Sequence, residues 1–161
     1  MAKFLPLLLL LLVSFFSLSL PSLSENPNPN PNPKSISAYD ELRLSGFPIG
    51  LLPSNVRGYS LNRTSGDFSV ELLHRCRITL PPDNYLAAYS PRITGNLSGG
   101  RISGLDGIRV RAFFRWWSIT AIRASGDDLV FEVGVASAKY PSKNFDESPE
   151  CEGGNPSKAA S

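Results

Sequence analysis

Over most of the chain beyond residue 55, apolar and polar side chains alternate at every second position. Phe68, Val70 and Leu72 alternate with Ser69 and Glu71, and Cys76, Ile78 and Leu80 alternate with Arg75, Arg77 and Thr79. A period of two puts each set on one face of an extended chain, so these runs predict half-buried β-strands. Turn residues punctuate them: Thr64-Ser65-Gly66, then Ser98-Gly99-Gly100 between NYLAAYSPRITGNL and RISGL, then Ser125-Gly126-Asp127 before LVFEVGVASA. Each marks a hairpin. Leu73-His74 carries no turn residue and fits either a tight hairpin or a bent continuation. Pro91 lacks the N–H of a central ladder and predicts an edge or a bulge. Helical character is confined to SISAYDELRLSGFP, where Ser37 caps with Asp40 three residues on, Gly46 supplies the left-handed stop and Pro48 prevents continuation. Tyr39 and Leu42 share one side of that short helix. The pattern predicts a mainly β fold: an antiparallel sandwich or barrel with one short N-terminal helix.

One stretch breaks the alternation. GIRVRAFFRWWSITAIRAS, residues 107–125, has an ordinary apolar face through Ile108, Val110, Ala112, Phe114 and Trp116. Its other face mixes Arg109, Arg111, Arg115 and Arg123 with Phe113, Trp117 and Ile119. A strand of some sixteen residues would span roughly 50 Å, too long for a domain of this size. The chain must bend or bulge, and the buried face is expected to change parity around Trp116-Trp117. The surplus of large apolar groups on both parities also fits a surface where Phe113 and Trp117 meet a ligand, membrane or partner and the arginines meet anionic groups.

The N-terminus follows a different pattern. Lys3 precedes an apolar run from Phe4 to Leu20, then Pro21 and the small residues Ser22 and Ser24. That order predicts a secretory signal peptide over 1–24, cleaved to leave a chain without a membrane-spanning segment. Four Asn-Pro pairs make 25–35 an extended linker. The β domain is expected over 36–151, with a flexible tail at 152–161. In an oxidising compartment, Cys76 and Cys151 predict one disulfide. The sequons at Asn62 and Asn96, both beside turns, predict glycosylation on the same route.

Net charge is +2 with both signs interspersed, which gives no electrostatic case for nucleic acid. Catalysis lacks its usual parts. There is no Gly-x-Ser-x-Gly elbow, and the single histidine, His74, has no partner in the sequence to orient it. His74-x-Cys76 lacks a second pair of metal ligands, and Asp146, Glu147, Glu150 and Glu152 lack calcium-loop spacing. No catalytic residue, metal site or cofactor is assigned.

At AYDELRLSGFPIGLLPSNVRGYSL the sequence resembles the plant domain-of-unknown-function 538 family. The likeness continues through ITGNLSGGRISGLDGIRV and FFRWWSI to FEVGVASAKYPSKNFDESPEC. Its most specific parts are Gly46-Phe47-Pro48-x-Gly50-Leu51-Leu52-Pro53, Phe114-x-Trp116, and Val133-Gly134-x-x-Ser137-Ala138 leading to Tyr140-Pro141 and Phe145. This chain departs from the family pattern at Leu73-His74, where members often carry a glycine-containing turn. The resemblance implies an N-terminal helix on an antiparallel β sandwich or barrel. It also implies a distant likeness to the lipid-binding bactericidal/permeability-increasing fold and a link to chlorophyll binding or hydrolysis. It carries no catalytic residues.

The leading expectation is a secreted module that binds an apolar or amphipathic small molecule, lipid or pigment. Phe113, Phe114, Arg115, Trp116, Trp117 and Phe131 are its candidate lining. The alternatives are a pigment or lipid ester hydrolase, and a cell-wall or protein interaction module.

Overall fold

A computed structural model describes residues 36–80 and 83–153 of the 161. The expected signal peptide and linker lie outside these residues, as does the tail beyond residue 153. Helix α1 (Ala38–Leu44) starts on a reciprocal capping box, with Asp40 N–H donating to Ser37 Oγ and Ser37 N–H to Asp40 Oδ2. Gly46 takes φ +80° and ends it, letting the Phe47 N–H reach back to the Leu42 carbonyl. Ala38, Glu41 and Leu42 form the buried face. The Glu41 carboxylate is paired there by Arg63, which compensates its buried charge.

Among the described residues eight strands follow: β1 (Val56–Leu61), β2 (Asp67–Leu72), β3 (Cys76–Leu80), β4 (Tyr85–Ser98), β5 (Arg101–Ala112), β6 (Arg115–Ser125), β7 (Asp128–Val133) and β8 (Ala136–Pro141). All join one antiparallel sheet in the order β1-β2-β4-β5-β6-β7-β8, with β3 also paired to β4. Over the described residues the fold is therefore mainly antiparallel β with one short helix at the N-terminal side. A single apolar core gathers α1 and residues from β2 through β7, which the sheet accomplishes by curling on itself.

The Leu73-His74 join is a bend. Strands β2 and β3 do not pair with each other; both pair with β4, along Arg92–Asn96 and Tyr85–Tyr89 respectively. Pro91 falls where β4 passes from one partner to the other, and where its register with β5 slips between Tyr89 and Thr94. Its missing N–H costs no ladder bond at a bulge.

The stretch 107–125 is not one bent strand. Strand β5 ends at Ala112, β6 starts at Arg115, and Phe113-Phe114 make the turn alone, with φ +50° and +63°. Two residues at positive φ between antiparallel strands form the tight hairpin for which Asn-Gly is the usual sequence. Val110 then faces Trp117 across the ladder, so the inward face passes from Ile108 and Val110 to Trp117 and Ile119. A register slip between Ile119 and Ala121 reverses parity again and brings Ile122 inward. The expected face change is thus made by a hairpin just before the tryptophans and a bulge just after them. LVFEVGVASA is likewise split, by Gly134-Val135, into β7 and β8.

The C-terminal segment runs back as a strap. Its 3₁₀ turn, Ser142–Phe145, packs on the 3₁₀ turn Ile49–Leu51 that follows α1. The approach is close: a β-carbon on Gly50 would collide with the Phe145 and Glu147 carbonyls. Ser54 N–H donates to the Pro149 carbonyl at 3.0 Å, and Glu152 N–H to the Arg77 carbonyl at 2.8 Å. The disulfide expected between Cys76 and Cys151 is formed and fastens the strap to β3.

Candidate functional site

The two ends of the curled sheet differ. At one, Ala38 and Leu42 of α1 pack over Leu97, Ile102 and Ile122 and leave a void of only about 50 Å³. At the other, beside the β5–β6 and β7–β8 turns, lies a cavity of about 320 Å³. Val110, Ala112, Trp117 and Ile119 wall it on one side, and Phe131, Val133, Ala138 and Tyr140 on another. Leu80 and Tyr85 contribute from β3 and β4, Phe145 of the strap completes the lining, and Phe113 and Val135 form the rim. A volume of this order, walled mainly by hydrocarbon with a few hydroxyls, is the usual form of a small-molecule site.

The aromatic groups support one another. The Phe131 ring centroid lies 5.3 Å from Phe145 and 6.1 Å from Tyr140, tilted and edge-on respectively. Trp117 Nε1–H donates to the Ala112 carbonyl at 3.2 Å, so the indole's polar atom is satisfied within the hairpin. Burial pushes the Tyr140 phenol pKa up, and the neighbouring Tyr85 and Asp83 push the same way. A neutral phenol offers hydrogen bonds to a polar group at an otherwise apolar wall.

On the outer face the sheet aligns Arg77, Ala88, Arg109 and Ser118 across neighbouring strands, with Arg111 opposite Trp116 in a neighbouring row. Because Ala88 is small, the face dips there, and Arg75, Arg77, Arg109 and Trp116 border a depression of about 180 Å³. The two adjacent indoles therefore serve opposite faces.

Of the six candidate lining residues, Phe113, Trp117 and Phe131 border the cavity and Trp116 borders the outer depression. Phe114, 95% exposed, projects from the hairpin tip, and Arg115 begins β6 outside the lining. Tyr85, Tyr140 and Phe145 were not among the candidates. Tyr140 and Phe145 lie within the runs that carry the family resemblance, which is the one signal the sequence offered for them.

His74 is exposed in the β2–β3 bend, its Nδ1–H donating to the Arg75 carbonyl at 2.8 Å. Six residue steps of extended chain, roughly 20 Å, separate it from Leu80 at the cavity. Among the described residues, no three His, Cys, Asp or Glu side chains gather as a metal set. The two sequon asparagines differ. Asn62 is exposed and uses only its Oδ1, accepting from the Thr64 and Ser65 N–H groups. Asn96 commits its Nδ2, donating to the Ser65 carbonyl at 2.6 Å and to Asp67 Oδ1 at 2.9 Å.

Positive φ is costly for a bulky β-carbon, and Phe113-Phe114 bears that cost twice. Replacing the pair by Asn-Gly is expected to stabilise the protein by about 1–3 kcal/mol, measured by urea unfolding. An unchanged midpoint would show that the turn is not strained.

A curled antiparallel sheet, sealed by a helix at one end and hollow at the other, is the class of domain these features define. A family model described as "Protein of unknown function, DUF538" matches residues 38–146, and the chain belongs to that family. No curated protein and no solved structure matches it.

Proposed function

We propose that the protein binds one apolar or amphipathic small molecule, a lipid chain or a pigment, in the cavity at the open end of its sheet. The observation that carries this reading is the contrast between the ends: the same core leaves a void of only about 50 Å³ beneath α1 and one of about 320 Å³ beside the turns. Hydrocarbon walls give roughly 25 cal/mol for each Å² of apolar ligand surface removed from water. The Tyr85 and Tyr140 hydroxyls are the polar groups placed to orient a head group. The hydrolase alternative has less support, since the lining offers a Ser137 hydroxyl but no histidine, cysteine or carboxylate to activate it.

Trp117 reports on this site and Trp116 does not. With Trp116→Phe, titration by fatty acids, lysophospholipids and porphyrin-type pigments is expected to shift or quench the remaining tryptophan emission saturably. With Trp117→Phe the response disappears. No response from Trp117 to any of these ligands contradicts the proposal.

A further inference from the structure

The β5–β6 hairpin tip is built unlike the other turns. Phe113 and Phe114 occupy the two positive-φ positions, 88% and 95% exposed, where glycine or asparagine would be unstrained. Phe113 borders the cavity, but the Phe114 ring, held in water by a strained turn, has no account in the packing, because it lies outside both the core cluster and the cavity lining. Across the cavity mouth, the β7–β8 tip exposes Val135 as well. Behind the phenylalanines Arg115 pairs with Ala112, Arg111 with the partly exposed Trp116 and Val110 with the partly exposed Trp117, so guanidinium groups and indoles share the first ladder positions of the hairpin. Among the described residues neither Arg111 nor Arg115 pairs with a carboxylate. Asp83 is a carboxylate at the same end, but its influence falls on Tyr140.

Apolar tips backed by a collar in which unpaired guanidinium groups and indoles share one level match a lipid interface: hydrocarbon first, then the head-group boundary where tryptophan and phosphate-binding arginine meet. We infer that the Phe113-Phe114 hairpin docks on an anionic lipid bilayer, with Phe114 inserted among the acyl chains and Arg111 and Arg115 on the head-group phosphates. The strain at the turn is then explained by what the turn carries. Docking by this tip also places the cavity mouth, rimmed by Phe113 and Val135, against the membrane. The inference stands on the tip alone and does not require that the cavity be filled.

The chain's only tryptophans are Trp116 and Trp117, so fluorescence reads the hairpin directly. In a Trp117→Phe chain, the remaining indole faces away from the cavity and does not respond to a ligand inside it. Vesicles of phosphatidylcholine with phosphatidylglycerol, carrying bromine on the upper acyl chain, are expected to shift Trp116 emission to the blue and quench it. Pure phosphatidylcholine vesicles should act at least tenfold more weakly. Adding Phe114→Gly, which suits the turn geometry and so preserves folding, should weaken the anionic response at least tenfold. Adding Arg111→Gln and Arg115→Gln should reduce it to the phosphatidylcholine level. Unchanged emission with both vesicle types would overturn the inference. So would equal responses to the two, or undiminished quenching in the Phe114→Gly chain. A Trp117 response to dissolved fatty acid without any Trp116 response to vesicles would keep the cavity and remove the docking tip.

Discussion

Reducing the Cys76–Cys151 disulfide is expected to lower stability by about 2–4 kcal/mol, a fall in Tm on the order of 10 °C. The bridge closes a loop of sequence separation 75. The chain-entropy limit for such a loop is about 4.5 kcal/mol, and native-state strain and residual structure usually take the measured value below it. The cost should not be confined to stability. Cys151 ends the strap whose earlier residues bring Phe145 against Phe131 at the cavity. Hydrogen bonds from Ser54 to Pro149 and from Glu152 to Arg77 hold the strap independently, so the reduced protein should remain folded. Its ligand affinity should nonetheless fall several-fold as Phe145 loosens. Calorimetry and ligand titration with and without reductant, checked by the Cys76→Ala/Cys151→Ala pair, measure both effects. A disulfide-free protein with unchanged Tm and unchanged affinity would show that the strap is held by packing alone.

Ala138→Trp should abolish ligand binding while leaving the fold intact. Ala138 lies on β8, opposite Phe131 on β7, with its side chain at the cavity wall. Strand β8 pairs on one side only, and aromatic residues are well tolerated in strands, so the backbone has room to accept the ring. The indole would occupy volume that the ligand needs. An affinity loss of at least tenfold, about 1.4 kcal/mol or more, is expected with Tm unchanged or raised. The control on the same strand is Lys139→Ala, which removes an outward side chain paired with Asp128. It should alter neither property by much, since exposed ion pairs contribute little.

How much of this was legible in sequence follows from which physics is local. Helix α1 was readable because its cap, its stop and its apolar side lie within ten residues of one another. The β1–β2, β4–β5 and β6–β7 hairpins were readable because glycine marks each turn. The β5–β6 hairpin was not, because phenylalanine fills positions that turn chemistry assigns to asparagine and glycine. The β7–β8 turn was hidden in the same way, with Gly134 and Val135 inside a continuous apolar run. Both hidden turns sit at the cavity mouth, where Phe113 and Val135 form the rim. For the site, the apolar surplus of residues 107–125 falls partly on the cavity, through Val110, Phe113, Trp117 and Ile119. It could not separate Trp117 from Trp116, because their faces depend on the hairpin. Nor could periodicity find Tyr85, Tyr140 and Phe145, which reach the cavity only through strand order and the course of the strap.

Native mass spectrometry tests the central claim most directly. Incubated with a long-chain fatty acid or a lysophospholipid, the wild-type protein should carry one bound molecule per chain, and Ala138→Trp should carry none. Equal occupancy of the two proteins, or no adduct on the wild type with any apolar or amphipathic ligand, would contradict the account.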